Sequence, residues 1–317
     1  MMKDVKQLEE EYGCNIPEKR VQIWEVQLRL WKELDRICKK YGLTYFFFWG
    51  ALLGAVRHKG FIPWDDDIDV VMPRRDYDRL AEVAPGELTE PYFLLTPDTT
   101  GRSFFWFQRL IDESTTHVWN MSMDFVKNHQ GIALDIVPLD GVPRKKMDRI
   151  LHFWHCQIAF TLINNRGSEW SMLSRKGKLL RIASEVYCMG RTQQQCIRKL
   201  MRIQAKYGWD ESGEIAEQAH YTRFQKENFE HVAYLEFEGA MAPVPGGYEK
   251  VLRRLYGDYM SLPPLKGRLV SEDDAWGYIT DPNVSYRDYY ESTINRRKAL
   301  ARMQSRKNLF KKYCGDD

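Results

Sequence analysis

The residues Trp64-Asp65-Asp66-Asp67-Ile68-Asp69-Val70-Val71 crowd four carboxylates into five positions and then alternate acidic with apolar side chains. In a strand, side chains two apart share a face, so Asp67 and Asp69 are expected together while Ile68 and Val70 turn inward. Carboxylates held side by side on a half-buried strand repel each other and lose hydration, and a cation offsets both costs. Oxygen-only donors favour Mg²⁺ or Mn²⁺, commonly shared with substrate phosphates. A solvated acidic loop does not carry the Ile68 and Val70 alternation. An EF-hand calcium loop fails too, because Val70 stands at the turn glycine and Asp76 at the bidentate glutamate.

A third acid, Asp135, sits in Gly131-Ile132-Ala133-Leu134-Asp135-Ile136-Val137. An ionised group among apolar neighbours needs a partner. It fits a third metal ligand, a base that takes the proton of an acceptor, or a strand-end acid bonded to backbone amides. Upstream, Gly50 and Ala51 lie between an aromatic run and a short apolar helix. A glycine there lets backbone approach a phosphate, and a helix N-terminus favours negative charge.

The elements that must position these groups follow from periodicity. Val21 to Tyr41 reads as an amphipathic helix ended by Gly42, and TYFFFW as a buried strand. ALLGAV is a short helix, RHKGFIPW a polar loop, and DDDIDVVM a strand stopped by Pro73. RRDYDRLAEVA is a helix closed by Pro85 and Gly86, while SFFWFQRLI and GIALDIVPL are further strands. From Arg144 to about Ala219 helical patterns dominate. His231 to Glu238 returns to a strand, Pro243 to Gly247 reads as a turn, and YEKVLRRLYGDYM as a helix. Three regions are expected: a catalytic core over 1–143, a helical region over 144–230, and a C-terminal segment over 231–317 that packs back on the core.

Composition narrows the functional classes. At 317 residues, 44% hydrophobic and 29% charged, the chain supports a full core, and a net charge of +3 does not indicate nucleic acid. The six cysteines form no CxxC pair and read as reduced thiols. The charged N-terminus lacks a signal core, and the apolar run Leu43 to Val56 is shorter than the roughly 20 residues of a membrane span. The expectation is a cytoplasmic protein. Arg296, Arg297, Lys298, Arg302, Arg306, Lys307, Lys311 and Lys312 make the tail strongly basic, suited to peripheral contact with anionic lipid at the inner membrane face. His152, His155 and Cys156 lack the further ligand that zinc requires and read as structural.

A Gly-small pair, a DxD strand and a distant lone acid resemble the nucleotidyltransferase superfamily. The run Phe48-Trp49-Gly50-Ala51-Leu52-Leu53-Gly54-Ala55-Val56-Arg57-His58-Lys59-Gly60-Phe61-Ile62-Pro63-Trp64-Asp65-Asp66-Asp67-Ile68-Asp69 is more specific. It resembles the hallmark of the LicD family, bacterial phosphocholine transferases related to fukutin-type ribitol-phosphate transferases. Arg109-Leu110-Ile111-Asp112 with Thr115, Leu134-Asp135-Ile136-Val137-Pro138-Leu139-Asp140-Gly141, and Val244-Pro245 through Tyr256-Gly257-Asp258 to Pro263-Pro264 add to the likeness.

The resemblance implies an α+β fold, with a nucleotidyltransferase-like mixed sheet, flanking helices and a helical insertion. It implies transfer of phosphocholine or a similar phospho-alcohol from a CDP-choline-like donor to a glycan or lipid-linked glycan, releasing CMP and modifying a cell-surface glycan. Carried over by residue, Asp67, Asp69 and Asp135 would hold Mg²⁺ or Mn²⁺. Arg57, His58 and Lys59 are candidates for neutralising phosphate charge, with a solvated loop as the alternative, and Arg109 is expected either to meet the donor phosphates or to pair with an acid. Asp65 and Asp66 are expected to support the metal ligands or to hold the loop as turn residues. Trp49, Trp64, Trp106 and Trp119 are the aromatic faces near the motifs that a trimethylammonium group would seek. The rival readings are a nucleotidyltransferase that releases pyrophosphate, and a transferase of the same fold using CDP-polyols or CMP-phosphonates.

Overall fold

A computed structural model describes residues 4–99, 107–118, 129–166, 173–218, 220–268 and 279–291. Trp106, Trp119 and the basic stretch 295–313 lie outside the described residues. Helix α1 (Val5–Tyr12) is capped by Asp4, whose side chain accepts from the Lys6 N–H at 3.0 Å, and it buries Leu8 and Tyr12. The charged N-terminal sequence gave no apolar stripe long enough to announce it. Helix α2 (Glu18–Tyr41) buries Ile23, Val26, Leu30, Leu34 and Ile37 at helical spacing. It ends at Gly42, whose φ of 64° lets its N–H reach the Cys38 carbonyl.

Strand β1 (Phe46–Phe48) is wholly buried and turns directly into α3 (Trp49–Leu53), continued by a π-helical turn over Gly54–His58. Strand β2 (Asp69–Pro73) leads into α4 (Arg74–Val83). Strands β3 (Tyr92–Leu95), β4 (Gln108–Asp112), β5 (Thr116–Val118) and β6 (Ile132–Val142) follow. Among the described residues the main sheet has seven strands, with the path β1-β2-β6-β4-β3. β2 runs parallel to β6, while β1 against β2 and β4 against β6 are antiparallel. The fold is α+β with a mixed sheet, and α2 packs across β4 and β6.

Helices α5 (Lys146–Arg166), α6 (Arg175–Tyr187) and α7 (Gln193–Gln204) follow β6. They bury Cys156, Ala159, Ile163, Cys188, Ile197 and Leu200 in a second core shared with Val142 of β6, Ala216 and Tyr221. The helical reading does not extend to Ala219. Strands β7 (Glu214–Glu217) and β8 (Arg223–Gln225) return to the main sheet, with β7 antiparallel to the last residues of β6. These strands are too short for periodicity to separate them from helix, and their pairing is supplied by a distant strand.

Strands β9 (Val232–Phe237) and β10 (Ala240–Pro245) form a two-stranded ribbon. Pro243 and Pro245, expected in a turn, belong to β10. A strand paired on one side leaves alternate N–H positions unused, where proline fits. Helix α8 (Tyr248–Tyr256), strand β11 (Ile279–Asp281) and helix α9 (Tyr286–Glu291) complete the described chain, with β11 pairing β5.

Candidate active site

Strand pairing brings the distant acids together. Asp69, the first residue of β2, lies directly beside Asp135 of β6, and Asp135 lies opposite Arg109 of β4. The Arg109 Nε donates to Asp135 Oδ1 at 2.6 Å. The acidic strand is shorter than its alternation suggested, because Asp67 precedes β2 instead of lying on it. Side chains of α2, not a neighbouring strand, bind the backbone there. The Trp24 Nε1–H donates to the Asp65 carbonyl at 2.8 Å, and the Ile68 N–H donates to Gln27 Oε1 at 3.3 Å.

Gln27 is buried and bridges the site. Its Nε2 also donates to the Ala133 carbonyl at 2.8 Å, so one amide ties the acidic segment to β6. Gln27→Leu leaves a backbone N–H and a carbonyl without this partner, a loss of about 1–3 kcal/mol for a buried polar group. Thermal unfolding should register that loss, with an accompanying fall in turnover. An unchanged melting temperature would remove Gln27 from this role.

One carboxylate oxygen each from Asp65, Asp66 and Asp67 lies within 4.8 Å of the others. Asp66 is paired to Arg20 at 2.9 Å. Asp65 rests on Gly50: a Cβ at that position would lie 2.2 Å from Asp65 Oδ2. The glycine is thus required by an acidic side chain of the protein itself. In Gly50→Ala the Asp65 carboxylate must move, and overpacking of this kind costs about 1–3 kcal/mol. A lowered melting temperature together with weakened metal binding is the expected outcome, and wild-type values for both would contradict it.

Mutual repulsion bears on the ionisation of the acids. Desolvation and then the charge of Asp69 push Asp67 well above the ordinary carboxylate range. Asp69 is pushed up by burial and then by Asp135, with Arg109 opposing. Asp67 remains exposed at the mouth of the site, so for it the neighbouring charges are the cause that the geometry supports independently. Burial, then Asp66, raise Asp65 to about 6, while Arg20 opposes. The Tyr256 hydroxyl is raised by desolvation and then by the charges of Asp65, Asp69 and Asp67, although the residue is 43% exposed on α8.

A cavity of about 360 Å³ opens on this cluster, lined by Asp65, Asp66, Asp67, Asp135, Arg109, His117, Gln27 and Thr280 among others. Asp69 is not part of its lining. His117 bonds Thr280 Oγ1 through Nδ1 at 2.9 Å, and burial followed by the charge of Arg109 holds it down to about 3, so it is neutral. The donor set is all oxygen. Arg20 and Arg109 answer Asp66 and Asp135, yet Asp67 and Asp69 stay elevated. A divalent ion on these oxygens would compensate that surplus, so the residues fit Mg²⁺ or Mn²⁺.

The segment 57–64 goes elsewhere. The Arg57 Nη1 donates to the carbonyls of Tyr259 at 2.8 Å and Ser261 at 3.2 Å. His58 is buried, with its ring 4.8 Å from Tyr12 and 5.8 Å from Trp64. The Lys59 Nζ lies 3.8 Å from Glu236, and the Arg268 guanidinium lies 5.9 Å from the Trp64 ring. Arg57, His58, Lys59 and Trp64 do not line the cavity. Trp49 meets His220 edge-on. Conversely, Gln27, His117 and Thr280, which do line the cavity, were not among the expected site residues. Gln27 alone carried a signal, as a polar residue inside the apolar stripe of α2.

Residues 42–146 match the family model described as LicD/FKTN/FKRP, nucleotidyltransferase domain. The chain is 32% identical over 275 residues to the lipopolysaccharide cholinephosphotransferase LicD of Haemophilus influenzae, covering 78% of this chain and 94% of that protein. Shorter matches reach uncharacterized proteins of two other bacteria. That of Rickettsia prowazekii is 39% identical over 57 residues, 18% of this chain and 21% of that one. That of Rickettsia typhi is 37% identical over 57 residues, 18% of each. With a relative matched over nearly its whole length and the row of acids set within the matched domain, the chain belongs to the LicD family and is an enzyme of the transferase class.

Proposed function

We propose that the protein transfers phosphocholine, or a closely similar phospho-alcohol, from a CDP-activated donor to a hydroxyl of a glycan, releasing CMP. The observation that carries this reading is the match to a lipopolysaccharide cholinephosphotransferase across 94% of that relative. The site chemistry agrees with it. Asp67, Asp69 and Asp135 would hold Mg²⁺ or Mn²⁺, with Asp65 and Asp66 adjoining. When bound, the ion would neutralise charge on the donor diphosphate and on the departing phosphate.

The protein's own groups have separate tasks. Arg109 fixes the Asp135 carboxylate by its Nε and presents its charge to the cavity, where a donor phosphate would lie. Gln27 keeps the acidic segment in register with β6. The acceptor hydroxyl would give its proton to a nearby carboxylate as its oxygen attacks the β-phosphorus, the P–O bond to the bridging oxygen would break, and CMP would carry away the electron pair. Lipid-linked glycan on the cytoplasmic side of a membrane is the acceptor this reading favours. No described helix is long and apolar enough to cross a membrane.

The matched domain is named for nucleotidyl transfer, which keeps the rival chemistry testable. Incubation with CDP-choline, a glycan acceptor and Mg²⁺ should release CMP in step with choline incorporation, and EDTA should abolish both. Release of pyrophosphate from a nucleoside triphosphate, with CDP-choline left intact, would overturn the assignment. CDP-ethanolamine, CDP-polyols and CMP-phosphonates assayed alongside identify the cargo.

A further inference from the structure

We infer that the outer faces of α5 and α6 form a docking surface for an anionic lipid bilayer. Helix α5 is apolar on two opposite sides. One side buries Cys156, Ala159 and Ile163 in the core of the helical region. The other leaves Met147, Leu151, Trp154 and Ile158 in solvent, at 66%, 62%, 57% and 52% exposure. Those four recur at i, i+4, i+7 and i+11, a stripe along one helix face. A second apolar stripe, on a helix whose other face is already packed, is surface that a partner would cover.

Helix α6, packed beside α5, repeats the pattern. Leu179, Ile182 and Val186 are exposed at i, i+3 and i+7, while Ser184 on the opposite side is buried. Single exposed apolar residues need no explanation, but two neighbouring helices with continuous exposed stripes mark an interaction surface.

Charge selects the occupant. Arg144, Lys145 and Lys146 stand at the start of α5, and Arg175, Lys176 and Lys178 at the start of α6. An apolar stripe flanked by long basic side chains matches the boundary between acyl chains and anionic headgroups. Trp154 adds the ring that favours that boundary. A second copy of the chain fits less well, because its like-charged flanks would face these across an interface whose core excludes charge. The surface is separate from the catalytic cluster, since no residue of α5 or α6 lines the cavity. It also differs from the basic tail, and it does not depend on the identity of the donor.

The test is co-sedimentation of the full chain with vesicles of phosphatidylcholine, with and without phosphatidylglycerol, alongside Leu151→Ser/Trp154→Ser/Ile158→Ser and a chain truncated after residue 291. Wild type should bind the anionic vesicles, less so in high salt. The triple variant should lose about tenfold or more in partitioning, given the apolar area withdrawn, and should turn over a water-soluble acceptor as wild type does. Failure of wild type to bind overturns the inference. So does unchanged binding by the triple variant, binding lost only on truncation, or a wild-type dimer that the triple variant dissolves. None of these outcomes touches the assignment of the transferase reaction, which is read with the soluble acceptor.

Discussion

Asp69→Asn is expected to lower kcat/KM for CMP release at least about a thousandfold, or about 4 kcal/mol of transition-state stabilisation, while making the metal-free protein more stable. The two effects have one cause. Asp69 is half-buried beside Asp135, and its pKa is raised by desolvation and by that neighbouring charge. A carboxyl whose folded pKa lies above its unfolded value binds more protons in the folded state between the two. Its ionised form therefore costs stability as pH rises from about 4 through the elevated value. Asparagine removes that cost together with the charge that a divalent ion would need. Melting curves of metal-free protein from acid to neutral pH should show wild type losing stability as pH rises, and Asp69→Asn losing less. A variant that turns over normally, or melts lower than wild type at neutral pH, would count against the assignment.

Arg109→Ala should reduce turnover about a hundredfold, as loss of one charge-stabilising group typically does, with the opposite effect on stability. Arg109 answers Asp135 at 2.6 Å, and the two side chains keep 14% and 26% exposure, so the pair is largely withdrawn from water. Its removal leaves Asp135 facing Asp69 without a cation, at a cost of about 1–3 kcal/mol. The double variant Arg109→Ala/Asp135→Asn distinguishes the two roles. It should regain most of the lost stability, because no unpaired charge remains, and should stay inactive. Non-additive stability with additive loss of activity is the expected pattern. Activity in the double variant above that of Arg109→Ala would contradict the metal-holding role of Asp135.

What could be read from the sequence was set by local periodicity. Alternation marked Ile68 and Val70 as interior, and an acid among apolar residues marked Asp135. The adjacency of Asp69 and Asp135 is a matter of strand order, which no local pattern encodes. The motif from Arg57 to Trp64 was legible as specific but not as to its reason. A Cβ at Gly60 would lie 2.1 Å from Glu238 Oε1, the Phe61 N–H donates to that oxygen at 3.0 Å, and the Glu238 N–H donates to the Lys59 carbonyl at 3.1 Å. The segment is thus shaped by the tip of the β9–β10 ribbon, far along the chain. His117 and Thr280 meet because β5 pairs β11, again a contact between distant residues.

Titration of Mn²⁺ into the protein with CDP present, followed by calorimetry, addresses the convergence of acids from β2 and β6 most directly. Wild type should show saturable binding, and both Asp69→Asn and Asp135→Asn should lose it while retaining cooperative unfolding. Wild-type affinity in Asp135→Asn would mean that the lone acid of β6 takes no part in holding the ion, contrary to the account given for this site.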